Sequence, residues 1–297
     1  MYRGYNKIPL TSSEWKNFNP KNVKYWYITE KVHGSCFCFI FNCKTKEITF
    51  GKRKGILYDE ETFFGYRTIL PLLLDKIQMI GEMVLSKYID TIKIHIYGEL
   101  FGNGVQNGIY YSETIHYYAF DISYINLSMD EIYLNFEESL NIFNKVDILH
   151  AKPLAKFTNL SQAMDYNYNF QSTIPKQLGN EIKDDNKAEG IVIRSSHGRF
   201  LVKKKIEEFT ESKYQENDYQ NDNISPLEQY KRLALKCLTQ NRLNNAISKY
   251  GEFDKYKEQI LEELCMDILS EINGFHHYEL KDWLDAEILK FILEPLN

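Results

Sequence analysis

Residues 23–58 read VKYWYITEKVHGSCFCFIFNCKTKEITFGKRKGILY. Within this stretch, residues 36–41 are rich in aromatic side chains, residues 42–47 are mostly polar, and residues 48–50 return as a second strand-like run. Two such runs separated by a short polar segment are typical of a β-hairpin. The stretch therefore predicts paired strands, and it places the segment 29–35 (TEKVHGS) between two of them.

Strand and helix patterns alternate through the first two thirds of the chain. Apolar residues recur at helical spacing between several strand-like runs, so both kinds of element belong to one α+β region. Gly and Asn residues mark turns between the elements. The strand patterns lie at 91–97, 117–122 and 190–205, and the helical patterns lie at 60–88, with an interruption at Pro71, and at 129–149.

The pattern changes after about residue 215. The following residues are polar, and Pro226 is suited to the first turn of a helix. From there the apolar spacing is helical, without a sustained β pattern. We predict an α+β domain over residues 1–215, a linker over 216–225 and a small all-helical domain over 226–297.

The charges of the chain are unevenly placed. Lys and Arg number 36 against 41 Asp and Glu, and this net charge of −5 argues against a polycation that coats nucleic acid or an anionic membrane. Residues 220–297 hold 9 basic and 14 acidic residues, so the excess acidity belongs to the helical region. Residues 31–54 hold six basic residues and one acidic residue, and residues 194–205 hold five basic and no acidic residues. These two segments suit an enzyme that grips individual phosphates.

Three further features bear on the cellular compartment. No run approaches the 18 apolar residues of a membrane span, and the first residues lack the apolar core of a signal peptide. The five cysteines are an odd number without the spacing of a disulfide framework, so we expect reduced thiols. We expect an intracellular, reducing compartment, with the cytoplasm preferred over other compartments, no secretion, no membrane partner and, by default, a monomer.

Five short motifs follow one another along the α+β region. The first places an amine near a glycine between two strands, and glycine allows a backbone to approach a phosphate closely. Each motif alone carries little weight, because a Lys-x-x-Gly tetrad occurs by chance in most proteins and is more often a solvated turn. The ordered set is specific, and its members are Lys31–Gly34, Gly98–Glu99, Phe120–Asp121, Glu189–Gly190 and Lys203–Lys205.

This ordered set resembles the covalent nucleotidyltransferases, the superfamily of polynucleotide ligases and capping enzymes. It is most similar to the RNA ligase 2 family, which includes the trypanosome RNA-editing ligases, because His33 stands where most of the superfamily carries aspartate. Residues 51–55 also resemble an additional arginine motif of that family. The resemblance implies an antiparallel-sheet nucleotidyltransferase domain (an ATP-grasp-like ligase fold) followed by helices, and an ATP-dependent ligase that joins RNA 3′-OH and 5′-phosphate ends.

The resemblance also implies roles for individual residues. Lys31 would form a lysyl–AMP, while Glu189 and Asp121 would serve a metal ion or a lysine. Mg²⁺ (or Mn²⁺) would be the metal, because carboxylates suit hard cations. For both carboxylates, a pairing with Arg194 or Arg199 is the structural alternative. The other motif residues would hold the nucleotide: Glu30 and Val32 at the adenine, Phe120 stacked on it, Glu99 at the ribose, Arg53 at sugar or phosphate, and His33 and Gly34 beside the nucleophile.

A lysine nucleophile must lose a proton before it attacks the α-phosphate of ATP. Nearby cations disfavour the charged form of an amine and stabilise phosphoryl oxygens, so Lys203, Lys205 and Arg53 would serve both purposes. Alternate side chains of a strand point to opposite faces. We therefore expect Lys203 and Lys205 in the pocket and Lys204 outside it.

One residue departs from the family pattern. The family usually carries asparagine two residues after the motif glycine, and this chain carries Cys36. The asparagine handles the phosphate after adenylation. We expect adenylation of Lys31 to survive, and sealing to be slow or altered in substrate preference.

The helical C-terminal region discriminates among members of the superfamily. DNA ligases and capping enzymes normally continue with a β-barrel domain after the last lysine motif, whereas this sequence becomes helical, as in the RNA ligase 2 family. Residues 239–243 resemble the helical domain of that family, so Arg242 and Asp267 are candidates for contacts to the RNA end. An ordinary exposed helix residue is the alternative for each.

These features together predict an ATP-dependent RNA ligase whose partner is RNA, in particular a nicked duplex. Two alternatives stay open. A DNA ligase or GTP-dependent capping enzyme belongs to the same superfamily and is disfavoured by the missing β-barrel pattern. A non-catalytic module that binds RNA ends is a different class of protein, and Cys36 is the only support for it in the sequence.

Overall fold

The computed structural model describes residues 2, 4–16, 18–19, 23–181, 184–209, 225–272 and 278–293. The chain divides into two compact units, Met1–Glu208 and Phe209–Asn297. The first is built of sheets and helices and the second of helices, so the predicted α+β fold with a helical C-terminal part is confirmed. The predicted boundary at 215 and the linker 216–225 lie outside the described residues, apart from Ser225.

Two antiparallel sheets make up most of the first unit. The described strands of sheet A are ordered β10-β9-β1-β8, and those of sheet B are ordered β4-β3-β2-β5-β6-β7. Each strand runs antiparallel to its neighbours. In chain order the strands are β1 (Trp26–Glu30), β2 (Ser35–Asn42), β3 (Ile48–Lys52), β4 (Gly55–Ile56), β5 (Thr91–Phe101), β6 (His116–Asn126), β7 (Glu131–Tyr133), β8 (Pro153–Phe157), β9 (Gly190–Ser195) and β10 (Leu201–Lys205).

The predicted hairpin is formed by β2 and β3. Phe37, Phe39 and Phe41 on one face of β2 are fully buried in the main core. Cys36 and Cys38 on the other face are buried in a second cluster beneath the first residues of the chain. Because β2 is covered on both faces, its sequence is a nearly continuous apolar run rather than an alternating one.

Helices pack on the sheets of this unit. The longest, α1, begins at Leu70, directly after a 3-10 segment at Phe63–Ile69. Pro71 was predicted to interrupt a helix, and the structure places it in the first turn of α1, where a missing N–H costs no hydrogen bond. The helices are α1 (Leu70–Lys87), α2 (Phe136–Lys145), α3 (Leu160–Met164) and α4 (Ile174–Gln177), with shorter 3-10 turns at Ser12–Glu14 and Glu207–Phe209.

The helix predicted over 129–149 is wrong in its first part. Residues Glu131–Tyr133 form β7, which pairs with β6, and α2 starts only at Phe136. Met129 has a φ of 66°, which a helix does not allow. The carboxylate of Glu131 accepts hydrogen bonds from buried side chains of the neighbouring strands, and these long-range contacts outweigh the local helical pattern.

The second unit contains α5 (Pro226–Cys237), α6 (Gln240–Tyr250), α7 (Lys257–Glu271) and α8 (Tyr278–Leu293). As predicted, Pro226 opens the first helix, and the Ser225 hydroxyl accepts a hydrogen bond from the Glu228 amide at 3.3 Å as an N-cap. Within the described part of the chain, no helix is both long and apolar enough to span a membrane. The five cysteines are free thiols and are buried.

Candidate active site

Residues 31–34 lead from sheet A to sheet B. Strand β1 ends at Glu30 in the first sheet and β2 begins at Ser35 in the second, so the segment between them lies where the two sheets meet. The Lys31 amide donates to the carbonyl of Gly190 at 2.9 Å, which extends the pairing of β1 with β9. Lys31 is thereby held beside the residue that precedes β9, Glu189.

Gly34 is required by the backbone of β5. A Cβ atom at this position would lie 2.1 Å from the carbonyl oxygen of Leu100 and 2.8 Å from Cγ of Glu99. Any side chain would therefore push β5 away from the start of β2. The sequence suggested that this glycine makes room for a phosphate. The structure shows that the packing of β5 already requires a glycine at this position.

The carboxylate of Glu189 joins three basic side chains. Its Oε2 atom lies 2.6 Å from Nζ of Lys31 and 3.5 Å from Nδ1 of His33, and its Oε1 atom lies 2.8 Å from Nζ of Lys205. Burial by itself would raise the pKa of Glu189, but Lys31 and Lys205 outweigh burial and hold that pKa well below its usual range. The site therefore contains a buried anion that holds two lysines in place.

The three consecutive lysines of β10 separate by strand alternation. Lys203 lines the pocket and Lys205 pairs with Glu189. Lys204 donates instead to the carbonyl of Met164, away from the pocket. Burial, together with the charges of Lys31 and Lys205, lowers the pKa of Lys203 to about 7. At neutral pH this amine gains or loses a proton readily, so an entering phosphate would restore its full charge.

Residues of sheet B form the opposite wall. Cys36 of β2 is the register partner of Glu99 of β5, and both line the pocket together with Arg53 of the β3–β4 turn. Burial raises the pKa of Glu99 to about 7 and that of the Cys36 thiol to about 12. The wall therefore offers one fixed cation, a carboxyl group that is easily protonated, and a neutral thiol.

Glu30 is a further residue of the pocket lining. Val32, Phe120 and Tyr118 also line the pocket. Glu30 is 3% exposed, and its two carboxylate oxygens accept hydrogen bonds from Ser172 and Thr173, in the loop that leads into α4. The sequence did not single out this loop, because nothing in its local pattern differs from an ordinary polar turn.

Asp121 is engaged by the protein. Its Oδ1 atom accepts a hydrogen bond from Nη2 of Arg194 at 2.7 Å, and its Oδ2 atom accepts one from the Tyr5 hydroxyl. Arg194 also donates to the carbonyl of Phe120 at 2.9 Å. Asp121 therefore pairs with Arg194, which is the alternative to metal binding that the sequence left open for this carboxylate.

The first residues of the chain complete the pocket, which the sequence did not predict. Tyr5, Asn6 and Ile8 line it, and the Lys203 amide donates to the carbonyl of Pro9 at 3.0 Å. The ring of Tyr5 lies edge-on to that of Phe120, with centroids 4.9 Å apart. The only sequence signal for such a role was the presence of tyrosines near the N-terminus.

The residues present fit a metal ion that arrives with a nucleotide. Among the described residues, no group of three or more His, Cys, Asp or Glu side chains is arranged to hold a metal. Mg²⁺ usually keeps several waters and binds through one or two carboxylates and the phosphates of a substrate. Glu99 lines the pocket and can meet that modest requirement. Both oxygens of Glu189 lie against lysines, so Glu189 would bind a metal only by giving up one of these pairs.

A larger cavity of about 920 Å³ lies between the start of α1, the start of β6 and the end of α2. Among the residues that line it, none belongs to the five motifs. The smaller pocket is lined by residues of four of the five motifs, and its lining includes the basic side chains of Lys31, Arg53, Arg194 and Lys203. Chemistry therefore identifies the smaller pocket as the candidate active site.

The two candidates in the helical unit contact each other. Arg242 of α6 donates from Nη1 to Oδ2 of Asp267 on α7, and its Nη2 atom lies 3.5 Å from Oε2 of Glu271. The side chain of Arg242 is only 1% exposed. The alternative of an ordinary exposed helix residue is therefore wrong for Arg242, which holds α6 and α7 together.

Comparison with known proteins places the chain in a family. The family model described as RNA ligase matches residues 24–208, which is more than half of the chain. The mitochondrial RNA-editing ligase 2 of Trypanosoma brucei brucei is 27% identical over 312 residues, covering 82% of this chain and 74% of the relative. The mitochondrial RNA-editing ligase 1 of the same organism is 29% identical over 208 residues, covering 57% of this chain and 44% of the relative.

A solved structure of a mutant Naegleria gruberi RNA ligase with ATP and Mn is also similar. It is 16% identical, with a TM-score of 0.44, and the match covers 62% of this chain and 51% of that one. The chain thus spans about half the length of two of these three proteins. The match of the family model over residues 24–208 confirms the resemblance drawn from the motifs, and with it the prediction of a ligase-class enzyme: the chain belongs to the RNA ligase family.

Proposed function

We propose that this chain is an ATP-dependent RNA ligase that works through a lysyl–AMP at Lys31 and seals nicks in duplex RNA. The observation that carries the proposal is the cluster of Lys31, Glu189, Lys203 and Lys205 at a pocket whose lining also includes the buried carboxylate of Glu30. Phosphoryl transfer depends mostly on positioning and on cations around the reacting phosphate, and this cluster supplies both.

The proposed reaction has three steps. Nζ of Lys31 loses a proton and attacks the α-phosphorus of ATP, an N–P bond forms, the bond to the β-phosphate breaks, and pyrophosphate leaves. An oxygen of the RNA 5′-phosphate then attacks the same phosphorus, the N–P bond breaks, and AMP is transferred to the RNA end. In the last step the 3′-hydroxyl attacks the 5′-phosphorus, the phosphodiester forms and AMP leaves.

The residues around Lys31 have separate tasks in this scheme. Glu189 would orient the Lys31 side chain before the attack. Lys203, which lines the pocket, would contact the transferred phosphate, and Lys205 would act from beside the pocket, where it pairs with Glu189. Arg53 would contact phosphate or sugar, Glu99 the ribose, and Phe120 the face of the base. A bound Mg²⁺ would neutralise charge on the phosphates, and Glu99, which lines the pocket, would then hold the metal instead of the ribose.

RNA is the substrate that the family relationship supports. The two trypanosome relatives are named as RNA-editing ligases. In this chain, the locally basic segments 31–54 and 194–205 contain the pocket residues Lys31, Arg53 and Lys203. The preference for a nicked duplex is part of the proposal and rests on the resemblance of the motifs to the RNA ligase 2 family. The net negative charge of residues 220–297 suits a role in positioning the substrate better than a source of bulk phosphate affinity.

The first test is a labelling experiment. The protein is incubated with α-labelled ATP or α-labelled GTP and Mg²⁺, and the products are separated on a denaturing gel. We expect protein-bound label from ATP in the wild type and none in Lys31→Ala. Absence of an adduct with either nucleotide would contradict the enzyme proposal, and an adduct with GTP alone would favour a capping enzyme.

A second measurement tests the substrate. The protein is incubated with three pre-adenylated substrates: a nicked RNA duplex, a nicked DNA duplex and single-stranded RNA. Sealing of nicked RNA faster than of the other two supports the proposal. Binding to RNA ends with no sealing of any substrate would instead support the non-catalytic module.

A further inference from the structure

The two carboxylate oxygens of Glu30 receive three hydrogen bonds from one loop. The Ser172 hydroxyl lies 2.6 Å from Oε1, and the Thr173 hydroxyl and amide nitrogen lie 2.7 and 2.8 Å from Oε2. Ser172 is fully buried and Glu30 is 3% exposed, so water contributes little to this arrangement. The loop lies more than 140 residues after Glu30 in sequence and has no other evident task at the pocket.

The direction of the hydroxyl protons is set by two further hydrogen bonds. The Ile174 amide donates to the Ser172 hydroxyl oxygen at 3.3 Å, and Nε2 of Gln177 donates to the Thr173 hydroxyl oxygen at 3.3 Å. A hydroxyl has one proton to donate, and in both cases it faces Glu30. The Thr173 amide can only donate. All three groups therefore present protons to Glu30.

Three donors on one carboxylate keep it an acceptor. Burial raises the pKa of Glu30 above its usual range. The hydrogen bonds from Ser172 and Thr173 favour the ionised form and reduce this rise without cancelling it. An ionised carboxylate has about four acceptor positions and no proton of its own. With three positions filled by the loop, the remaining one can accept a hydrogen bond from a ligand but cannot donate one.

This constraint selects among purine bases. The 6-amino group of adenine is a donor, whereas the 6-oxo group of guanine or hypoxanthine is an acceptor that would face an anion without a proton between them. An unpaired buried polar group costs far more than an extra or missing apolar group, so this contrast can discriminate strongly.

We propose that Ser172 and Thr173 are specificity-determining residues, which hold Glu30 as an obligate acceptor and restrict the nucleotide to purines with a 6-amino group. The inference rests on the proposed function, since it takes the pocket to be the nucleotide site. Ser172 and Thr173 are positioning residues, because they act on the base through Glu30.

The experiment compares nucleotide selectivity in adduct formation. Wild type, Ser172→Ala/Thr173→Val and Ser172→Thr are each incubated with ATP, 2,6-diaminopurine riboside triphosphate, ITP and GTP, and kcat/KM for adduct formation is measured. In the wild type we expect the two 6-amino nucleotides to react at least about 100-fold better than the two 6-oxo nucleotides. In the double variant we expect this ratio to fall by about 10-fold. In Ser172→Thr we expect the ratio of the wild type, because the hydroxyl remains.

Ser139→Ala is the matched control, since Ser139 is equally buried but lies in α2, outside the pocket. A merely structural role of the loop would lower the rates with all four nucleotides alike and leave their ratio unchanged, which would overturn the inference. If the double variant does not fold, Glu30→Gln answers the question, because an amide can also donate and should raise ITP relative to ATP.

The outcomes separate the two proposals. No adduct with any nucleotide in the wild type contradicts the ligase proposal itself. An ATP adduct whose selectivity is the same in the wild type, the double variant and Glu30→Gln leaves the ligase proposal standing and removes Ser172 and Thr173 from base selection.

Discussion

The Nζ atom of Lys31 lies 2.6 Å from Oε2 of Glu189, although 158 residues separate the two in the chain. The second oxygen of the same carboxylate lies 2.8 Å from Nζ of Lys205. One buried anion thus holds two cations of sheet A in one place, and the charge balance of the candidate site depends on it.

Replacing Glu189 by glutamine should therefore harm both folding and catalysis. The change leaves Lys31 and Lys205 close together without the anion between them, and removal of one partner of a buried ion pair typically costs about 3 kcal/mol or more. We expect a lower free energy of unfolding in urea and a loss of most adduct formation with ATP. Glu208→Gln is the control, since Glu208 pairs with Lys187 at the surface and should change neither property. Equal losses in the two variants would contradict the role given to Glu189.

Cys36→Asn should improve the steps that follow adenylation. The buried thiol is neutral, because burial raises its pKa to about 12, and it is a weak hydrogen-bond donor. An amide can donate to a phosphate oxygen, and hydrogen bonds to charged groups are worth about 1.5–3 kcal/mol, or roughly 10-fold or more in rate. We expect faster sealing of pre-adenylated nicked RNA and an unchanged rate of Lys31 adenylation. Cys43→Ser, at the residue that follows β2, serves as the control. A Cys36→Asn variant that seals no faster than the wild type would show that Cys36 does not limit sealing.

Nucleotide binding should weaken as the pH rises through 7. Burial, with Lys31 and Lys205, lowers the pKa of Lys203 to about 7, so this side chain loses its positive charge above that pH. Burial raises the pKa of Glu99 to about 7, so Glu99 becomes negative over the same range. Both changes disfavour a polyphosphate. We expect the Kd of α,β-methylene-ATP, measured by calorimetry, to rise between pH 6 and pH 8.5.

Two variants identify the groups responsible for this pH dependence. Lys203→Arg keeps its charge over the whole range, and Glu99→Gln has no charge to gain. Each should flatten part of the pH dependence, and the double variant should remove most of it. If the Kd of the double variant depends on pH as steeply as that of the wild type, neither Lys203 nor Glu99 is responsible for the pH dependence.

Arg242→Met should destabilise the helical unit. The guanidinium is almost fully enclosed and pairs with Asp267 and Glu271, so its loss leaves two carboxylates of α7 without that partner. We expect a loss of about 3 kcal/mol in the free energy of unfolding. The control is Arg232→Met, at an exposed position of α5. This variant should change the free energy of unfolding by no more than about 0.5 kcal/mol.

A separate readout tests whether Arg242 also serves the RNA end. If its role is structural alone, Asp267→Asn and Arg242→Met should lower stability but leave Lys31 adenylation intact at low temperature. A selective loss of RNA sealing in both variants, at a temperature where the helical unit is folded, would support the role that the resemblance implies.

Much of the fold followed from local patterns. The hairpin of β2 and β3 was predictable because its apolar runs are separated by a short polar turn. The start of α5 was predictable because Pro226 suits the first turn of a helix. Strand β7 was mistaken for helix because its pairing with β6, and the hydrogen bonds that Glu131 accepts from Tyr97 and Ser123, are contacts between strands. Local periodicity does not record such contacts.

The sequence by itself determined the family and the order of the motifs along the chain, because residue types and their spacing are local properties. Only the tertiary structure decided which partner each charged group takes. In the folded chain, Glu189 pairs with Lys31 and Lys205, and Asp121 accepts hydrogen bonds from Arg194 and Tyr5. Three of these four pairings join residues 73 to 158 positions apart in the chain. The strength of an ion pair depends on distance and burial, and both are properties of the folded chain.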